Sequence, residues 1–584
     1  MSPAATPRPT KLQLATPPAS DDLLSPSSFL IASLILAAAI FAVYAPSLGY
    51  HFILDDHRFT GDPRIQSSGH LWDYFTNYVW AQFTGGPASF YRPMFVLWVR
   101  LNFVVNEMSP WGWHFLSICK HVAVAALLGL LVWRLLRDRA AALLAAALFA
   151  LHPAQTESVA WVTVPDPLLA IGVLATLLLY LRYAEGASSG RHAQTRKERK
   201  KEARAGGKKP AGRREPRWLI AAAVACFLTL LTKETAIILP VELFIWTLLL
   251  VRDEPPKTRD EKGEAASPGG ALLAAVRWTI PFGVATVAYF MLRLNAFGGK
   301  LGSLTQHIPW STVVLSWPVT LWFYAKVLLW PVRSYAYADP TLAEKFSVRG
   351  VLLPGLGVAC LVAGLAALVW WTRQKARREL PAAEAARVEY ALLLGVLLLV
   401  LPILLALNLN ALNPGDFLHG RYVYLPSVGL MMVLAAGWHL AGRWRRPMLY
   451  AAGYVAIAFA ALSVAQERQW KDDLTLFTAG HELAPNNPWV AANLEDARVQ
   501  QALGMVAQGR CSEVLPVFEK ATRDYPTHWY AWAGLGYCYF TLNDLPKAEE
   551  AMHQAARLSK DPRTIEQWQE LRAHMGLPTP SPLD

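Results

Sequence analysis

The sequence predicts an all-α membrane protein with a helical-repeat tail, and three observations lead there. Of 584 residues, 54% are hydrophobic and 17% charged, against about 25% charged in soluble domains. Charge is unevenly spread, so that long stretches carry almost none while short ones are crowded with Lys and Arg. Residues 466–584 lose the long apolar windows and carry a repeat instead. This composition excludes a disordered chain, a collagen-like chain and a disulfide-stapled secreted module. It is the arithmetic of a polytopic membrane protein with a soluble appendix.

Residues 1–27 read as a disordered cytoplasmic N-terminus, and 28–45 as the first span. Pro46 follows the one small-x-small cleavage site, and no basic residues press against the start. The segment therefore reads as an uncleaved span rather than a signal peptide. Further windows at 113–135, 139–151, 167–183, 217–232, 235–251, 273–293, 351–371, 389–408, 421–441 and 447–465 bring the expected total to about eleven.

Basic residues orient these spans. Arg134, Arg137 and Arg139 follow the second, the Lys/Arg-rich segment within 184–216 follows the fourth, 371–380 follows the eighth, and Arg443, Arg445 and Arg446 follow the tenth. All fall on one side if the N-terminus is cytoplasmic, which puts the C-terminus outside. The basic run at 191–217 is of a kind that binds nucleic acid, but between two spans it reads as a cytoplasmic loop beside anionic lipid. No nucleic-acid partner is expected. Residues 313–331 are apolar too, yet a span there would reverse the sidedness of 373–380. They read as a re-entrant or surface-lying helix, starting and ending outside.

In the tail, Trp532, Leu535, Gly536, Tyr539, Ala548 and Ala555 follow the tetratricopeptide (TPR) pattern, whose period is about 34 residues. One period earlier Val514, Phe518 and Ala521 take the matching places, closed by Pro526. A weaker half-repeat holds Trp470, Leu476, Phe477 and Pro485. Such helices form either a groove for an extended peptide or a packed cap. Cys119, Cys226 and Cys360 sit in apolar runs, where a thiol is a small hydrophobe. Cys511 and Cys538 lie in the tail; their spacing suggests neither a zinc site nor a redox pair, and a disulfide between them is open if that region lies outside the cytoplasm.

Candidate chemistry collects on the expected external face. Residues 46–112 form a long, aromatic-rich loop in which 92–105 reads as an interfacial amphipathic helix. Asp55 and Asp56 follow the first span, where a carboxylate pair suits a general base or a cation site; an ordinary solvated loop is the plainer alternative. In an extended segment the two side chains point to opposite sides, so only one of them reaches a substrate. His152, Glu157 and Asp166 follow the third span, Lys233-Glu234 lies between the fifth and sixth, and Arg421 opens the tenth. Structural roles are available to several: His152-Pro153 as a helix end, Glu157 as a helix-terminal charge, Lys233-Glu234 as an ion pair. Together these residues suit a site that holds a phosphate with Arg or Lys and activates a hydroxyl with Asp.

LDD (54–56), YRP (91–93), HPAQTESVAWV (152–162), Asp166, TKETAIILP (232–240), GRYVYLPSVG (420–429) and W-x5-LF (470–477), in this order and ahead of TPRs, resemble the transmembrane-and-TPR-containing O-mannosyltransferases. The chain looks like a bacterial relative of these GT-C superfamily enzymes. The resemblance implies an inner-membrane glycosyltransferase with its TPRs on the periplasmic or external side. It implies a polyprenyl-phosphate sugar donor, an acceptor protein or glycan hydroxyl, and inversion at the anomeric carbon. By position it implies Asp55 and Asp56 as catalytic, and Arg92, His152, Glu157, Asp166, Lys233 and Arg421 as binding donor phosphate or sugar. A divalent cation as cofactor stays open. Two departures stand out: Val164-Pro165 precede Asp166 where the family often has Gly-Arg, and Gly420 stands where an acidic residue commonly precedes the arginine. The competing readings are a flippase for a lipid-linked sugar and a non-catalytic TPR scaffold. The spans show no paired internal repeat of the kind transporters carry.

Overall fold

The computed structural model describes residues 23–81, 90–185, 215–252, 268–300, 307–332, 342–412, 417–559 and 561–578. Residues 1–22 and most of the basic loop, 186–214, lie outside these, and with them the expected N-terminal disorder. Among the described residues every regular element is helical, and the chain divides into two units, essentially 1–471 and 472–584.

Among the described residues of the first unit, eight helices are long and apolar enough to cross a membrane, which makes this a polytopic membrane protein. They are Pro26–Gly49, Pro110–Leu136, Asp166–Glu185, Leu272–Ala296, Trp310–Leu329, Val348–Glu379, Ala382–Ala406 and Gly442–Trp470. Seven coincide with expected spans. The other four expected spans are helical but short: Arg139–Ala150, Pro216–Leu230, Ile238–Arg252 and Tyr424–His439. At 1.5 Å per residue the 12-residue Arg139–Ala150 helix rises only about 18 Å against an apolar core of about 30 Å. A count of eleven full crossings therefore does not follow from helix length.

The eighth long helix, Trp310–Leu329, is the segment read as re-entrant. At its start, Ile308 pairs with Asn410 (N to Oδ1 2.6 Å, Nδ2 to O 3.0 Å), and the Trp317 indole donates to the Leu407 carbonyl. At its far end, the Leu328 carbonyl accepts from His152 Nε2 (3.0 Å), and the Pro331 carbonyl accepts from Gln466 (2.7 Å). Residues 407–410, 152 and 466 all lie at the same end of their own helices. Both ends of this 20-residue helix thus meet one end of the bundle.

Glycine sets the tightest crossing, between Ala382–Ala406 and Tyr424–His439. A Cβ on Gly429 would lie 2.3 Å from the Gly395 carbonyl oxygen and 2.5 Å from the Leu399 nitrogen. Both are backbone atoms, so the helices would have to separate. We expect Gly429→Ala to lower thermal stability in detergent by at least the ~1–3 kcal/mol of an overpacked core. Gly453→Ala, where a Cβ meets nothing within 4 Å, should be neutral or slightly stabilising. Equal melting temperatures for the two variants would refute the account.

The described residues of 46–112 fold into a small helical layer whose Phe52, Phe59, Tyr74, Trp80 and Phe95 share an aromatic core with Trp113 of the following helix. The helix expected at 92–105 is present as Pro93–Asn106; it buries Phe95, Val96 and Val99 and exposes Leu101, Val104 and Val105.

The second unit is a run of helices, Asp473–Leu483, Pro488–Val506, Cys511–Asp524, Trp529–Thr541, Leu545–Ser559 and Pro562–His574. The small residues of the repeat have a steric reason. A Cβ on Gly536 would meet Met552 at 2.6 Å, and one on Gly534 would meet Phe518 at 2.5 Å.

Candidate active site

The end of the bundle that receives both ends of Trp310–Leu329 also gathers most of the candidate residues. Proline organises the connection after Arg139–Ala150. A residue before proline avoids the helical region, and His152 is extended (φ −71°, ψ 129°) ahead of Pro153. Its ring caps the next turn: Nδ1 accepts from the Ala154 N–H (3.1 Å) while Nε2 donates to Leu328. Burial holds this imidazole down at about 4, so it stays neutral. His152 therefore acts as a brace between two backbone segments.

Glu157 points the other way and is buried. Its Oε2 accepts from the Arg421 N–H (3.1 Å), and its Oε1 lies 3.0 Å from His419 Nδ1 and 3.5 Å from Arg421 Nη1. A Cβ on residue 420 would sit 3.1 Å from Glu157 Oε2. Gly420 thus makes room for the carboxylate to reach the backbone, a physical reason for glycine at that position. Pro165 and Pro167 bracket Asp166, which starts the Asp166–Glu185 helix. Its Oδ1 accepts from Lys233 Nζ at 2.6 Å with both side chains buried, and its Oδ2 is buried without a hydrogen-bond partner.

Tyr422 ties these pairs together. Lys233 Nζ lies 5.6 Å from its ring centroid and the Arg421 guanidinium 5.5 Å, while Arg421 also stacks on Trp161 at 4.5 Å. Burial, together with the charges of Arg92 and Arg421, pushes the Lys233 ammonium below its ordinary range, and Asp166 opposes the shift. Arg92 donates to Glu234 Oε2 (2.8 Å), whose Oε1 accepts from the Tyr91 N–H (3.0 Å). Arg293 Nη1 stands 3.6 Å from that same Oε1. Arg293 belongs to none of the sequence motifs, and its one signal was a cation in the last turn of an apolar helix.

The acidic pair divides in two. Asp55 and Asp56 open a short helix, Asp55–Thr60, rather than lying in an extended segment. The turn before it is closed at both ends: the Asp56 N–H donates to the Ile53 carbonyl (2.9 Å), and the Ile53 N–H donates to Asp56 Oδ2 (3.2 Å). Leu54 pays with a left-handed backbone (φ 52°, ψ −126°). Asp56 is fully buried, and its Oδ1 takes both the N–H (3.1 Å) and the hydroxyl (2.6 Å) of Thr163. Asp55 is half-buried. Close behind, Lys120 Nζ faces the Val162 carbonyl at 3.5 Å and the Trp98 ring at 5.5 Å. It is a cation that hydropathy alone assigns to a span.

Burial pushes the Asp56 carboxyl up to about 7, against three hydrogen bonds that pull it down. Its folded-state value lies above the unfolded one. The stability it contributes is therefore full below about pH 4 and is lost as pH rises through about 7. The clamp on Thr163 is stronger on the ionised form, so its strength runs the opposite way. We expect activity to fall below about pH 7 while thermal stability rises, and Asp56→Asn to abolish that acid limb. An unchanged limb in the variant would assign it to another group.

Among the described residues no three His, Cys, Asp or Glu side chains gather as metal ligands would.

Known proteins bear on this geometry. A family model described as dolichyl-phosphate-mannose-protein mannosyltransferase matches residues 67–258, and a tetratricopeptide-repeat model matches 505–575. Protein O-mannosyl-transferase TMTC1 of Homo sapiens is 24% identical over 537 residues, covering 86% of this chain and 56% of that protein. That similarity to TMTC1 runs over most of this chain's length. Tmtc3 of Drosophila melanogaster is 23% identical across 91% of this chain and 59% of its own length. Drosophila Tmtc2 reaches 35% identity over 162 residues, 27% of this chain and 17% of that protein. The chain spans little more than half the length of TMTC1 and Tmtc3, and much less of Tmtc2. Among solved structures, an oligosaccharyltransferase of Archaeoglobus fulgidus, tethered to an acceptor peptide, aligns at TM-score 0.38 and 13% identity, over 84% of this chain and 59% of that one.

Proposed function

We propose that this protein is an integral-membrane glycosyltransferase. It moves a sugar, a mannose-like hexose, from a polyprenyl-phosphate donor to a hydroxyl of an acceptor protein, with inversion, at the external membrane face. The observation that carries this reading is the joining of the acidic turn to the cation cluster. Asp56 holds Thr163, and Thr163 is three residues from Asp166, whose partner is Lys233. Three residues of backbone reach about 10 Å at most.

Asp55, the half-buried carboxylate, takes the proton of the acceptor hydroxyl. The oxygen attacks the anomeric carbon from the side opposite the phosphate, and the carbon–oxygen bond to the phosphate breaks. Polyprenyl phosphate leaves with the electron pair, and Lys233, Arg421 and Arg92 stabilise its developing charge. Glu157, Asp166 and Glu234 hold these cations at fixed positions. Lys Nζ has three donors, so Lys233 keeps capacity for a phosphate beyond Asp166. The TPR unit would hold the acceptor polypeptide and raise its local concentration.

The test is purified protein in detergent with labelled polyprenyl-phosphate sugars and acceptor peptides. Release of polyprenyl phosphate coupled to a glycosylated product is expected. Movement of intact donor across a proteoliposome without release would replace this reading with a flippase.

The external placement is supported by the Lys/Arg pattern, and by a 310–329 helix whose two ends meet one end of the bundle. A reporter active only in the cytoplasm, fused after Asp584, should be silent. A bright reporter would reverse the topology.

A further inference from the structure

Two of the five cysteines lie in the TPR unit, and these two are buried in one cluster. Cys511 opens the Cys511–Asp524 helix, and Cys538 stands near the end of Trp529–Thr541. The short connection between these helices lays them antiparallel, so the start of one sits beside the end of the other. Both side chains are buried in one apolar cluster with Val514, Phe518 and Leu535. The Cys511 side chain is near enough to perturb the Cys538 thiol. Small residues elsewhere in this unit, Ala521, Ala531, Ala551 and Ala555, are alanine. Packing alone therefore gives no reason for two sulfurs at one contact.

We propose that Cys511 and Cys538 are a disulfide site, a covalent staple across the two TPR helices. Each thiol loses its hydrogen, and the new S–S bond forms by exchange. The thiolate of one cysteine attacks the disulfide of an oxidant, a disulfide-bearing oxidoreductase or glutathione disulfide, and expels one thiol. The other cysteine then attacks the mixed disulfide and expels the second thiol. Two electrons and two protons pass to the oxidant, which departs as two thiols. In the packed helices burial, reinforced by the Cys511 sulfur, pushes the Cys538 thiol above its ordinary range. A protonated, buried thiol is inert. The exchange therefore belongs to folding or to opening of the helix end, and the finished bond is shielded from reductants. Residues 511 and 538 enclose a loop long enough for the cross-link to restrict the unfolded chain appreciably.

The experiment uses the full-length protein in detergent, equilibrated with reduced and oxidised glutathione at several ratios. Thiols are trapped with N-ethylmaleimide, and the protein is digested without reduction for mass spectrometry. The expected product is a linked Cys511–Cys538 peptide pair, two hydrogens lighter than its parts. With it the melting temperature of the TPR unit should rise by on the order of 10 °C. Glutathione adducts on either cysteine in place of the linked pair would overturn the proposal, as would alkylation of both at every ratio. Cys511→Ser should lose both the linked pair and the redox-dependent shift; a shift that survives it has another origin. The mass-spectrometric result on the unaltered protein stands even if that variant folds poorly.

Discussion

Asp55→Asn is expected to slow single-turnover sugar transfer by about 10²–10⁴-fold, the usual worth of a general base, and to leave donor affinity nearly unchanged. Asparagine keeps the size of the side chain and removes the basic lone pair. The donor phosphate is assigned to cations on other elements, so its binding should not follow the loss. The neighbour should behave differently. Asp56 is fully buried and holds Thr163 and Ile53, so its assigned part is to position the turn. Asp56→Asn should reduce the rate through a displaced Thr163 loop and should also move the melting temperature. Near-normal turnover in the Asp55 variant would remove it as the base. Loss of donor binding in that variant would instead put Asp55 among the phosphate-facing groups.

Lys233→Met is the second large effect. It leaves the buried Asp166 carboxylate without its partner, and breaking a buried pair from one side costs about 3–5 kcal/mol. It also removes a cation assigned to the leaving phosphate, where a charged hydrogen bond contributes about 1.5–3 kcal/mol, or roughly 10–100-fold in donor affinity. The double variant Lys233→Met with Asp166→Asn separates the two roles. Neutralising the carboxylate should restore most of the melting temperature and none of the donor affinity. Recovery of both would make the pair purely structural.

Much of this was readable in the sequence, for identifiable reasons. Long apolar windows fixed the long helices because burial in a bilayer leaves little alternative, and Gly536, Ala548 and Ala555 marked the repeat because helices cannot close over larger side chains. Lys233, Asp166, Glu157 and Arg421 were each found by motif or by the expense of charge near a membrane, and they do come together. Their pairing was hidden, since Lys233 was set against its neighbour Glu234 whereas space pairs it with Asp166. His152 reads from the sequence as a donor-binding residue or as a helix end; its ring caps the turn after Pro153 and meets a carbonyl 176 positions away, a contact no local pattern encodes. Arg293 was invisible because a cation at the end of an apolar helix is ordinary until Glu234 is placed beside it. That Asp56 is buried while Asp55 is only half-buried goes with Thr163, more than a hundred residues downstream, and no local pattern encodes that distance. The number of crossings was the weakest reading, because apolar length does not say which way a helix runs relative to the bilayer.

The left-handed Leu54 gives this fold an uncomfortable economy. A leucine held at positive φ costs about 1–3 kcal/mol, and glycine would sit there without strain. The readiest single substitution for a hardier protein is therefore Leu54→Gly, one residue before the proposed base. Glycine would also return torsional freedom to the one turn whose stiffness aims Asp55. A screen that selects on heat resistance alone would favour it, and would collect survivors that fold better and work worse.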